Sequence, residues 1–80
     1  MIMTREEFGD LVHTAWADRK ALLSTMSGGA HQTVTDMFKM EREQAETLNV
    51  SRHIIAAIFG LCTSDLTEHE IDFLWERRSK

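Results

Sequence analysis

The sequence predicts an all-α fold: a compact bundle of about four short helices, one domain over residues 1–80, with dimerisation expected. Three observations lead there. Apolar residues recur at helical spacing over four segments. No alternating run of β-branched residues and no Asn-Gly or Asp-Gly hairpin turn competes. The chain has no proline and only four glycines, two of them adjacent at Gly28 and Gly29, so it has few helix breakers.

The first helix is predicted over residues 4–26. Thr4 with Glu7 fits a capping box, in which hydroxyl and carboxylate each satisfy an orphan amide of the first turn. Phe8, Leu11, Val12, Ala15, Trp16, Leu22, Leu23 and Met26 follow on one face, with Asp10, Asp18 and Lys20 largely opposite. Gly9 weakens the early turns. Ser27, Gly28 and Gly29 end the helix, because glycine tolerates the left-handed backbone common past a C-terminus.

The second helix is expected from Ala30 to Leu48, with Ala30, Val34, Met37, Phe38, Ala45 and Leu48 inward. Its outer face alternates charge through Asp36, Lys39, Glu41, Arg42, Glu43 and Glu46. The spacing allows Lys39–Glu43 and Arg42–Glu46 pairs, each contributing roughly 0.2–0.5 kcal/mol. Asn49 breaks the run or kinks it, since asparagine accepts turn geometry.

The third helix is expected from Val50 to Leu61. Its second half, with Ile54, Ile55, Ala56, Ala57, Ile58, Phe59 and Leu61, leaves no polar side. Thr63, Ser64 and Asp65 connect it to a fourth helix opened by a second capping box, Thr67 with Glu70, and running to Arg78. Acidic groups near its start and Arg77, Arg78 and Lys80 at its end suit the helix dipole.

Composition narrows the activities. Nine basic against 13 acidic residues give a net charge of −4, which disfavours non-specific binding to phosphate backbones. The charge is also too sparse for a DNA mimic. A chain of 80 residues has little volume for a water-excluding catalytic pocket. It shows no nucleophile elbow, no Gly-rich phosphate loop and no P-loop lysine, so no enzyme and no cofactor is expected. His13, His31, His53, His69 and Cys62 lie on separate segments without zinc-ligand spacing, so no metal is expected. Four histidines leave room for a pH response near neutrality. One cysteine allows no internal disulfide, and no signal-peptide pattern or membrane-length apolar run is visible. Cytoplasmic residence is the expectation.

The leading functional expectation is a non-enzymatic protein-interaction module that binds and modulates another protein: an adaptor, an accessory factor, or an inhibitor of the kind phages and mobile elements use. Helices three and four carry more apolar surface than a short bundle needs, and aromatic and Met clusters are typical interface anchors. Trp16, Phe59, Phe73, Leu74 and Trp75 are the candidate partner residues, and a homodimer is expected.

A second reading comes from one segment. Ala45 is a small residue inside one helix, Asn49 and Val50 stand at a tight turn, Ser51 and Arg52 open the next helix, and Ile55 and Ile58 lie on its inner side. In these residues the segment 41–58 resembles the helix-turn-helix of bacterial DNA-binding proteins. The resemblance implies a transcriptional regulator that sets helix three in the major groove, with Ser51, Arg52 and His53 at the DNA.

Overall fold

A computed structural model describes residues 3–24, 30–61 and 65–79, with side chains in the second helix described from Val34 onward. The expectations for Met26, the Ser27–Gly29 stop, the His31 side chain, Cys62 and Lys80 lie outside the described residues. The described residues form α1 (Arg5–Ser24), α2 (Ala30–Leu48), α3 (Arg52–Leu61) and α4 (Glu68–Glu76), and no strand.

Both expected capping boxes are present. The Glu7 amide donates to Thr4 Oγ1 at 3.1 Å and the Thr4 amide to Glu7 Oε1 at 3.3 Å. At α4 the Glu70 amide donates to Thr67 Oγ1 and the Thr67 amide to Glu70 Oε1. Asn49 is a true break. It sits at φ 57°, a left-handed conformation that asparagine enters more readily than most residues. α3 therefore starts at Arg52, two residues later than expected, and α4 stops at Glu76 with Arg77 as its cap.

α1 runs through Gly9 unbroken. A Cβ there would lie 2.8 Å from the Arg5 guanidinium and 3.9 Å from Ile71 of α4, so the missing side chain leaves room for Arg5 to lie along the helix. From there Arg5 reaches α4, bonding Asp72 at 2.7 Å and Glu68 at 2.8 Å.

α1 and α2 form an antiparallel hairpin. Arg19 meets Glu41, and Gln44 Nε2 donates to the Ala15 carbonyl, so positions climb on one helix as they fall on the other. At 1.5 Å per residue α1 is about 30 Å long and α3 about 15 Å. The short helices thus have length to cover only about half of the hairpin. The molecule is accordingly elongated, 39 × 22 × 19 Å, with a radius of gyration of 12.7 Å.

The core gathers Phe8, Val12 and Trp16 of α1, Leu48 and Val50 at the α2 exit, Ile55 and Phe59 of α3, and Leu66, Ile71 and Leu74 around α4. Edge-to-face pairs tie it together: Phe8 with Trp75 at 5.3 Å, and Trp16 with Phe59 at 5.5 Å between ring centres. The chain end then closes on the α2–α3 turn, where the Ser79 amide donates to the Asn49 carbonyl and Asn49 Nδ2 to the Ser79 carbonyl.

Two charge expectations need correction. Lys39–Glu43 and Arg42–Glu46 do not form ion pairs among the described residues. Glu41 of α2 is buried against Arg19 of α1 at 3.2 Å rather than facing solvent. Glu41 falls one turn from Met37 and from Ala45, inside the apolar stripe, so the stripe carries it inward.

Candidate functional site

Three of the five expected partner residues are core residues. Trp16, Phe59 and Leu74 are buried, because each lies on the side of its helix that faces the shared core. Trp16 has also found a partner for its polar end: Nε1 donates to Asp65 Oδ1 at 3.2 Å, and Lys20 approaches the same oxygen at 2.7 Å. The Lys20 ammonium, helped by the indole N–H, holds the Asp65 carboxyl below its usual range. Trp75 is half-buried, with the Arg78 guanidinium 4.2 Å above its ring, and Phe73 lies at the surface under Arg77 at 4.0 Å. Each of these two rings thus carries a cation over one face. Of the expected five, Phe73 and Trp75 alone retain accessible ring surface.

The exposed apolar surface lies elsewhere. Leu23 of α1 is 43% exposed, Val34 and Phe38 of α2 are 49% and 57%, and Leu61 at the end of α3 is 82%. Val34 and Phe38 are one turn apart and form a single ridge. Below them on α2, Ala45 and Leu48 pack into the core that α3 completes. The ridge is the upward continuation of that covered face, past the point where α3 runs out. The mismatch in helix lengths, visible in the sequence, is the signal that locates this exposed apolar surface.

The expected DNA-contacting residues are placed together. Ser51, Arg52 and His53 are exposed at the start of α3, while Val50 and Ile55 are buried and Ile58 is half-buried behind them. Asn49 occupies the left-handed turn position where the resemblance expects glycine. The tail contact between Ser79 and Asn49 brings Arg77 and Arg78 to the same end of the molecule.

No metal-holding group of three or more His, Cys, Asp or Glu side chains converges among the described residues. His13 lies with Arg5, Asp10, Glu68 and Asp72 along the α1–α4 seam, where both Glu68 and Asp72 are engaged by Arg5. His53 and His69 are exposed on different helices. Among the described residues no helix is long and apolar enough to cross a membrane.

A third feature is a groove of about 210 Å³ between α1 and α2. Leu11, Met40 and Leu48 supply apolar walls, Asp18 and Glu43 supply charge, and Gln44 lies within it. No family model, no curated protein and no solved structure matches this chain.

Proposed function

We propose that the chain is a non-enzymatic protein-interaction module. It acts by covering the exposed end of its α1–α2 hairpin with another protein, whose activity it modulates. The supporting observation is the exposed ridge of Val34 and Phe38 on α2, together with exposed Leu23 near the end of α1 and Leu61 at the end of α3. Large apolar side chains exposed together are characteristic of partner surfaces. A second copy of the chain is the simplest occupant, which gives a homodimer as the resting state. An adaptor, an accessory factor or an inhibitor would then exchange that copy for its target. Cytoplasmic residence fits a chain with one cysteine.

The test uses the Val34→Glu/Phe38→Glu double variant. Both positions are exposed, so the fold survives the change. Sedimentation velocity over a concentration series, with hydrophobic-dye binding, should show wild type self-associating or binding dye and the variant doing neither. A wild type that stays monomeric and binds no dye removes the reading.

A second reading, a helix-turn-helix regulator, is favoured by the left-handed Asn49 and by exposed Arg52 and His53 ahead of buried Ile55. Exposed Glu43 and Glu46 on the preceding helix oppose it, since they repel phosphates. Unchanged DNA binding in Arg52→Ala would remove its main support.

A further inference from the structure

We propose that the groove between α1 and α2 is a recognition site for an arginine side chain presented by a basic segment of a partner protein. The site lies on a different face from the apolar ridge. At about 100° per residue, Glu43 falls on the opposite side of α2 from Val34 and Phe38.

The first observation is an unused acceptor. Gln44 is 9% exposed and lines the groove. Its Nε2 donates to the Ala15 carbonyl at 2.9 Å, and that carbonyl can only accept, so the side-chain amide has one orientation. The Oε1 atom is buried and has no hydrogen-bond partner among the described residues. A buried amide oxygen left without a donor costs free energy that a bound donor would return.

The second observation is charge. Asp18 and Glu43 face the same groove, one from each helix, and neither carboxylate has a cation partner among the described residues. The neighbouring hydroxyls are spent within their own helices: Thr14 donates to the Asp10 carbonyl and Thr47 to the Glu43 carbonyl. The groove therefore offers acceptors and negative charge and no free cation.

The third is the apolar wall. Leu11, Met40 and Leu48 match an aliphatic stem rather than a bare ion. A guanidinium on a three-carbon stem meets all three demands. Its planar fork has five donors, enough for an amide oxygen and two carboxylates together, where an ammonium has three. Methionine at the wall adapts to the stem.

The experiment titrates isotopically labelled protein with n-butylguanidinium chloride, and separately with n-butylurea, its uncharged counterpart of similar shape. The expected result is saturable shifts of the Gln44 side-chain amide and of the Ala15 and Met40 backbone amides. The guanidinium should bind more tightly than the urea. Asp18→Asn and Glu43→Gln, both at exposed positions, should each weaken binding about threefold, and together about tenfold. Three results overturn the proposal: no saturable shift at these groups, equal binding of the urea, or unchanged affinity in the double variant.

Discussion

Phe59 and Phe38 offer the same deletion in two environments. Phe59 is 1% exposed and stands edge-on to Trp16 at 5.5 Å. Phe38 is 57% exposed on the hairpin. Phe59→Ala removes a buried ring, leaves a cavity beside Trp16, and should cost about 3–5 kcal/mol. A domain of this size has a total stability of roughly 4–12 kcal/mol, so the variant should be marginal or unfolded. Phe38→Ala leaves no cavity and should change stability by no more than about 0.5 kcal/mol. The assay is urea unfolding followed by far-ultraviolet circular dichroism at one low protein concentration, so that self-association does not contribute. With a urea slope of about 1 kcal/mol per molar, the Phe59→Ala midpoint should fall by about 3 M or more. Equal small effects at both positions would refute the core assignment. A large effect at Phe38 in the monomer would show that the ridge is covered by the chain itself.

Three further outcomes follow from the same geometry. Glu41→Ala leaves Arg19 buried without its partner and should cost about 3 kcal/mol in denaturant unfolding, whereas replacing both residues by Met or Leu should recover most of it. Asn49→Ala forces a Cβ-bearing residue without a side-chain amide into the left-handed region and should be less stable than Asn49→Gly by about 1 kcal/mol in the same assay. Lys20 and, to a lesser degree, Trp16 hold the Asp65 carboxyl below the ordinary aspartate range, so the folded state binds its proton less readily than the unfolded chain. That contribution is fully present above the unfolded value and is lost as pH falls through the folded one; Asp65→Asn should flatten the acid limb of the stability–pH curve.

Much of this fold was readable from residue order because its signals are local. A threonine three residues before a glutamate makes a cap whatever surrounds it, and both boxes formed as written. Asn49 broke the helix run because its side chain tolerates the backbone the turn needs. What was not readable depends on which faces meet. Periodicity put Trp16, Phe59 and Leu74 on apolar stripes, but a stripe looks the same covered or bare. Of the aromatic residues of α3 and α4, Phe59 is in the core, Trp75 is half-buried against it and Phe73 stays at the surface. The more exposed apolar side chains belong to α1 and α2, where Leu23, Val34 and Phe38 are 43%, 49% and 57% exposed. Glu41 was misread for a similar reason: its charge suggested solvent, while its register within the stripe, and Arg19 on the facing helix, drew it inside. The Gln44 acceptor had no sequence signal at all, since it exists only because Ala15 takes the other half of the amide.

Which surface touches a partner in the cell separates the two functional readings. Replacing Phe38 by a photo-reactive benzoylphenylalanine keeps an aromatic side chain on the ridge, and the same group at Arg52 reports on the start of α3. After irradiation of intact cells, the position 38 probe should yield a discrete protein adduct that survives nuclease, and the position 52 probe should yield none. Nucleic-acid adducts from position 52, with nothing captured at position 38, would contradict the interaction-module proposal and put the helix-turn-helix reading in its place.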